Sequence, residues 1–201
     1  MSIKYKYFTF FLLFYFLTPL NIKPSEKNIY ELISQDKNLS IFFNYLRNTG
    51  LDVVLKQKSP WNWTIFAPSN KAFKEAPKLL KDEILNDEFL TKNILMDHIM
   101  TGHKTSLDID EKVTTQITVS NKPLQIYKSR NLFVKDMVVV QENLIGDNGV
   151  VHMIDCIMYV QPSSDDDRLT QEIKEKYPIT SCCMHNEAEI NSFKKTTENR
   201  F

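Results

Sequence analysis

The chain has 201 residues, of which 42% are hydrophobic, enough for one well-buried core and too many for a disordered chain. Lys and Arg number 25 and Asp and Glu number 25, so the sequence lacks the basic excess typical of nucleic-acid binding. We therefore expect one domain with short extensions and no nucleic-acid partner.

The N-terminal segment has the pattern of a secretory signal peptide. Lys4 and Lys6 precede an apolar, aromatic-rich run at residues 7–17. This run is shorter than the roughly 20 apolar residues that a membrane-spanning helix needs. We interpret residues 1–22 as a signal peptide, with a retained signal anchor or a buried first helix as alternatives. This places the mature protein in the secretory pathway, secreted or at the extracellular surface, without stable membrane insertion.

Helical patterns occupy the first part of the remaining chain. Apolar residues recur at helical spacing in 27–33 and 39–55, with a break at residues 48–50. Two further helices are predicted at residues 77–85 and 87–100.

Strand patterns follow these helices. The apolar period changes to two near Val113, which predicts strands at 113–119, 124–127, 132–134, 137–142 and 150–160. Helices followed by strands indicate an α+β fold rather than a parallel βαβ sheet.

A first motif reads T-I-F-A-P-S-N-K-A-F at residues 64–73. Its β-branched and aromatic start predicts a short strand, which Pro68 ends because proline has no N–H to donate to a neighbouring strand. Ser69 is predicted to cap the following helix, with Pro68 and Phe73 at the positions of a hydrophobic staple.

A second motif reads N-G-V-V-H-M-I-D-C-I at residues 148–157. Asn148 and Gly149 are expected to supply the positive φ angles of a tight turn. Residues 150–160 carry one charged side chain, which predicts a strand buried on both faces.

The two motifs resemble the signature motifs of the fasciclin domain, and residues 95–99 are similar to the motif between them. The resemblance covers residues 27–161 and leaves 162–201 as a polar C-terminal tail. It implies a wedge-shaped β-sandwich with helices packed on it, an adhesion or interaction module that needs no cofactor. The fold-motif residues that it marks are Thr64, Phe66, Pro68, Ser69, Asn70, Phe73, Gly149, His152, Ile154 and Asp155.

The resemblance also implies where a protein or extracellular-matrix ligand binds. Asp97 replaces the tyrosine that the family usually has before the histidine, so integrin recognition is not carried over. The ligand-contact candidates are Asp97, His98, Ile99 and His103, together with the loop at residues 101–107.

An alternative is a small-ligand carrier or enzyme with a pocket lined by His98, His152 and Cys156. His152 and Cys156 are four residues apart on one predicted strand, a separation of roughly 13 Å that prevents a direct dyad. Buried histidines satisfied by hydrogen bonds are the favoured interpretation. Well-spaced zinc ligands and a phosphate-binding loop are also missing from the sequence, so we predict neither a metal site nor catalysis.

The cysteine count is odd, which leaves at least one thiol unpaired or available to another chain. Cys156 is expected to be buried and inert. Cys182 and Cys183 lie in the predicted tail and are candidates for an intermolecular disulfide and hence for self-association.

Two N-x-[ST] triplets mark Asn38 and Asn62 as glycosylation candidates in a secreted chain. Trp61 and Trp63 flank Asn62. Because the first motif fixes neither tryptophan, at least one is expected near the surface.

Overall fold

The computed structural model describes residues 27–58, 60–135, 137–165, 170–176, 179–184 and 186–198. The predicted signal peptide, residues 1–22, lies outside these ranges. Within them, no helix has the length and apolar character needed to cross a membrane.

The described residues form helices and strands in the predicted general order. The helices are α1 (Ile29–Gln35), α2 (Ser40–Asn48), α3 (Asp52–Lys56), α4 (Asn70–Glu75), α5 (Glu88–Asp97), α6 (Gln171–Lys176) and α7 (Glu187–Glu198), with a π-helical segment at Leu80–Ile84 and a 3-10 turn at Ser163–Asp165. The strands are β1 (Trp63–Pro68), β2 (Ile99–Thr101), β3 (Thr114–Ile117), β4 (Pro123–Lys128), β5 (Leu132–Val134), β6 (Met137–Gly146), β7 (Gly149–Ile154), β8 (Met158–Pro162) and β9 (Ile179–Cys183).

Seven strands form one sheet in the order β2-β1-β7-β6-β5-β4-β3, and β8 pairs with β9 separately. β1 and β7 run parallel, while the other neighbouring strands are antiparallel. A bridge between Met100 and Thr118 joins the two ends of the sheet, which is therefore nearly closed. The predicted α+β class is confirmed.

Two apolar clusters use opposite faces of the central strands. Ile65 and Val151 belong to the cluster that includes the helices, whereas Phe66 and Ile154 belong to the cluster formed by strand residues. All residues of β1 and β7 are buried. The prediction that the second motif forms a strand buried on both faces is thus confirmed for Gly149–Ile154.

Two predicted boundaries are wrong. The helix expected at residues 87–100 ends at Asp97, and Ile99–Thr101 forms β2, because these residues pair with β1. The single strand expected at residues 150–160 is divided into β7 and β8 around Asp155 and Cys156, whose side chains bond to other segments.

The C-terminal segment also differs from the polar tail predicted for residues 162–201. β9 pairs with β8, and α7 buries Ile190 and Phe193 in the cluster that includes the helices. These two residues are three positions apart and so share one face of the helix. β9 and α7 are therefore packed on the domain, whereas Gln171, Glu172 and Glu175 of α6 are exposed.

Candidate functional site

Three of the four predicted ligand contacts lie inside the domain. Asp97 and His98 have no exposed surface, and Ile99 is 3% exposed. They cannot touch a macromolecular ligand in this structure, which corrects the sequence-based assignment. His103 is partly exposed and remains accessible.

Asp97 is instead a buried structural acid. Its carboxylate accepts hydrogen bonds from the Lys122 Nζ at 2.7 Å, the Val160 backbone N–H at 3.1 Å and the Ser120 hydroxyl. Burial raises the pKa of Asp97, although Lys122 opposes this shift. The Lys122 ammonium also lies 5.5 Å from the centre of the Phe193 ring, so α5, the β3–β4 turn, β8 and α7 meet at this pair.

His98 is a neutral imidazole that links α5 to β8. The Met158 N–H donates to Nε2 at 2.9 Å, so the proton is on Nδ1, which donates to the Ile94 carbonyl at 2.8 Å. Burial lowers the pKa of His98 to about 4. Both ring nitrogens are therefore occupied by backbone groups.

His152 has the opposite neutral tautomer. The Asn143 N–H donates to Nδ1 at 3.3 Å, which leaves the proton on Nε2 to donate to the Lys104 carbonyl at 2.8 Å. The ring stacks on Phe66 at a centroid distance of 5.5 Å, and burial lowers its pKa. The expectation of buried, hydrogen-bonded histidines is confirmed for both rings.

Cys156 is buried as predicted, and it also forms a disulfide with Cys183 that the sequence analysis did not predict. The pairing of β9 with β8 places Cys183 opposite Met158, which brings the two cysteine Cα atoms within 5.5 Å. Cys183 is therefore not available for the predicted intermolecular bond. Cys182 lies in β9, and its side chain is outside the described set.

The predicted pocket of His98, His152 and Cys156 is not formed. Both imidazoles are fully buried and hydrogen-bonded, and the sulfur is in a disulfide. Across the described ranges, no three His, Cys, Asp or Glu side chains are grouped so that they could hold a metal ion.

The two sequence motifs lie side by side as parallel strands. Phe66 is opposite His152, and Pro68 is opposite Ile154. Just beyond this pair, the Ser69 hydroxyl donates to Asp155 Oδ1 at 2.6 Å. The motifs are therefore joined both by strand pairing and by a side-chain hydrogen bond.

Ser69 also caps α4 as predicted, since its Oγ accepts the Ala72 N–H at 3.2 Å. Asp155 has a second partner in Lys71, whose Nζ is 3.0 Å away. The Ser69 hydroxyl and the Lys71 ammonium together hold the pKa of Asp155 below its usual value. Next to the cap, the Asn70 side chain accepts a hydrogen bond from the Ile41 N–H, which joins α2 to the start of α4.

The second motif's turn differs from the prediction, because neither Asn148 nor Gly149 has a positive φ angle. Glycine is needed at 149 for space instead, since a Cβ there would lie 2.3 Å from the Trp63 carbonyl oxygen. The Asn148 side chain accepts the Ile29 N–H at 2.9 Å and donates to the Leu55 carbonyl at 2.8 Å. It thereby anchors α1 and α3 to the sheet.

One part of the predicted contact region does reach the surface, namely residues 102–107, which we call the contact loop. Leu107 is 90% exposed, the highest value among the exposed large hydrophobic residues of the described chain. Trp61, whose carbonyl accepts the Gly102 N–H at 3.0 Å, is 60% exposed, whereas Trp63 is buried. One tryptophan therefore lies at the surface, as expected.

Side chains of both motifs form hydrogen bonds with the backbone of the contact loop. The Thr64 hydroxyl donates to the Gly102 carbonyl at 2.7 Å and accepts the Lys104 N–H at 3.0 Å. The Lys104 carbonyl in turn accepts the proton of His152. Buried side chains of β1 and β7 thus fix the backbone of an exposed loop.

A third anchor was not predictable from the sequence. The Asn143 side chain accepts the Ser106 N–H at 2.8 Å and donates to the Ser106 hydroxyl at 2.6 Å. These residues are 37 positions apart and come together only when β6 is in place. The positive φ of Asn143, 62°, is compatible with asparagine but does not reveal its partner.

The two glycosylation candidates differ in accessibility. Asn38 is exposed, whereas Asn62 is half-buried and has a φ angle of 39° next to β1.

Comparison with known proteins identifies the family. The family model of the fasciclin domain matches residues 37–160. Human periostin is 30% identical over 140 residues, which cover 69% of this chain and 16% of periostin. An uncharacterized protein of Synechocystis is 28% identical over 131 residues, 65% of this chain and 96% of that protein. The cell surface glycolipoprotein MPB83 of Mycobacterium bovis is 30% identical over 97 residues, 48% of this chain and 43% of that protein.

A solved structure has the same fold. The FAS1 domain pair of the insect cell adhesion molecule fasciclin I gives a TM-score of 0.56 at 16% identity, covering 65% of this chain and 50% of that chain. This chain therefore matches only part of periostin and of the fasciclin I pair. With a family match over more than half of its residues, the chain belongs to the fasciclin domain family.

Proposed function

We propose that the protein is a fasciclin-type adhesion or interaction module that binds a protein or extracellular-matrix ligand and catalyses no reaction. It would present its binding surface on a rigid, wedge-shaped, helix-covered sandwich. The observation that carries this proposal is the contact loop, which exposes Leu107 while Thr64 and His152 hold its backbone.

A fixed loop is well suited to binding. A loop that is ordered before the ligand arrives loses less conformational entropy on association. Exposed large apolar side chains are natural anchors for an interface, and Leu107 and Trp61 supply two of them near one loop.

The names of two relatives support an extracellular role. Fasciclin I is described as an insect cell adhesion molecule, and MPB83 as a cell surface glycolipoprotein. We extend this location to the present protein, secreted or at the extracellular surface, with residues 1–22 as its signal peptide. Asn38, which is exposed, is the better candidate for glycosylation.

The proposal is tested by coating a surface with the purified protein and measuring the attachment of cells and of extracellular-matrix proteins. Leu107→Asp is expected to reduce attachment about tenfold, because a charge replaces the most exposed large apolar side chain of the described residues. Val140→Asp on β6 is the matched control, since Val140 is 51% exposed and outside the loop. Equal attachment to the two folded variants would reject the contact loop as the binding surface.

A further inference from the structure

A shallow groove lies among the helices of the domain, and none of its lining residues belongs to the contact loop. It is bounded by α2, α4 and the π-helical segment and has a volume of about 380 Å³. Its lining residues are Ile41, Tyr45, Phe73, Lys74, Lys81 and Leu85. This volume is within the range of small-molecule sites, so the groove can be assessed as a binding site.

The floor of the groove is apolar and partly aromatic. The rings of Tyr45 and Phe73 stack with their centroids 5.3 Å apart and their planes 23° apart. Phe73 and Leu85 are buried at the base, while Tyr45 and Ile41 are half-exposed. A flat hydrocarbon or aromatic group can therefore lie on this surface.

The rim of the groove is cationic at one end. Lys81 Nζ donates to the Lys74 carbonyl at 2.8 Å, which holds this ammonium group beside the groove. Neither lysine forms an ion pair with any carboxylate that the structure describes. Two positive charges thus stand next to an apolar floor without a negative partner there.

A second, smaller lobe makes the two ends of the groove differ in charge. It shares Tyr45 and Leu85 with the first lobe and is otherwise lined by polar residues, including Glu88. A negatively charged group is consequently attracted to the lysine end and repelled from the Glu88 end.

We propose that this groove binds a free amphipathic carboxylate. The apolar body of the ligand lies on the Tyr45–Phe73 pair, and its carboxylate lies between the ammonium groups of Lys74 and Lys81. Charge complementarity selects the acid over a neutral or cationic molecule with the same apolar body. This site is separate from Leu107 and does not depend on the adhesion proposal.

The test compares octanoate, octanol and octylammonium as probes, which share one hydrocarbon chain and differ in charge. Binding is followed by the amide NMR shifts of the full-length protein. Octanoate is expected to shift the amides of Tyr45, Phe73 and Leu85 and to bind about fivefold more tightly than octanol, the gain typical of exposed ion pairs.

A lysine variant separates the charge from the apolar surface. Replacing both Lys74 and Lys81 by Gln is expected to reduce octanoate affinity to that of octanol. Lys78→Gln is the control, because Lys78 is exposed in the chain between Lys74 and Lys81 and does not line the groove. The dispersion of the amide spectrum shows that each variant is folded.

Three results would overturn the proposal. One is equal affinity for the three probes, which would describe an unselective apolar surface. Another is a set of octanoate-induced shifts outside the groove. The third is binding to anionic lipid vesicles without binding to free octanoate, which would identify a membrane surface as the occupant.

Discussion

The polar residues of the two motifs, and of the motif at residues 95–99 between them, act as framework groups for the chain around them. Both ring nitrogens of His98 and of His152 form hydrogen bonds with backbone groups, and the two rings are opposite tautomers. The Asp97 carboxylate likewise accepts hydrogen bonds from three donors. Thr64 and His152 influence the surface only indirectly, by fixing the contact loop. Motif residues in this protein therefore position a binding surface rather than form it.

Gly149 permits the close approach of β1 and β7, and its substitution is a direct test of this packing. Gly149→Ala places a Cβ 2.3 Å from the Trp63 carbonyl oxygen. We expect the free energy of unfolding, measured by urea denaturation, to fall by about 3 kcal/mol, because neighbouring backbone must move.

The matched control for this substitution is Gly50→Ala. Gly50 has a φ angle of 70° and no atom within 4 Å of the added Cβ. Only backbone strain opposes the alanine, so a loss of about 1 kcal/mol is expected. Equal losses for the two variants would show that crowding against Trp63 is not what requires glycine at 149.

At the level of single residues, local chemistry was predictable and long-range pairing was not. Ser69 caps α4 because a serine after a strand-ending proline accepts an N–H of the next helical turn, which the sequence shows directly. The same hydroxyl also donates to Asp155, 86 residues away, and no local pattern indicates this bond. Asn148 does lie in the tight turn between β6 and β7, but tertiary contacts rather than positive φ angles define the roles of Asn148 and Gly149.

Among the elements, the C-terminal segment departs most from its predicted state. Its sequence is polar on average, yet Ile190 and Phe193 occupy one helical face and enter the core. Tyr159 of β8 meets the Phe193 ring edge-on, with centroids 6.1 Å apart. The Cys156–Cys183 disulfide fastens the same segment to the domain. The average polarity of the segment therefore did not predict its packing, because a narrow apolar stripe on one helix face is enough to pack the helix on the domain.

The disulfide is expected to stabilise the folded chain measurably. It closes a loop with a sequence separation of 27 residues, for which loss of chain entropy in the unfolded state gives about 3.5 kcal/mol. Cys183→Ser should lower the free energy of unfolding by this order and remove the 156–183 cross-link from non-reduced peptide maps.

Cys182→Ser is the matched control for Cys183→Ser, because it leaves the Cys156–Cys183 pair intact. It should leave the 156–183 cross-link in the non-reduced peptide map unchanged. A cross-link between chains that disappears with Cys183→Ser would contradict the intramolecular pairing and restore the prediction of self-association.

For the whole molecule, α5 is joined to the seven-stranded sheet and to the β8–β9 pair through buried ionisable groups. His98 lies between α5 and β8, and Asp97 is tied to Lys122 beside it. Hydrophobic periodicity predicted the general order of helices and strands up to β7 and the α+β class, because it reports which faces are buried. It did not predict the nearly closed sheet, which depends on the Met100–Thr118 bridge between distant segments.

These buried imidazoles make the stability of the fold dependent on pH. An unfolded histidine binds a proton below about pH 6.5, whereas folded His98 stays neutral until its pKa of about 4. As the pH falls between these values, only the unfolded state gains protons, so the free energy of unfolding should decrease by as much as about 3 kcal/mol. Burial lowers the pKa of His152 as well, which further decreases the free energy of unfolding as the pH falls.

The raised pKa of Asp97 has the opposite effect, since its protonation in acid favours the folded state. The histidine contribution must therefore be measured on the rings themselves, by their NMR nitrogen shifts between pH 7 and 4 alongside denaturation at each pH. The His98 ring should stay neutral below pH 6, with its proton on Nδ1, while stability falls. The His152 ring, whose neutral form carries its proton on Nε2, should gain a second proton only below the ordinary range of a histidine. A protonated His98 ring at pH 6 in the folded protein would refute this account, because the free-energy loss requires an imidazole that stays neutral while the domain is folded.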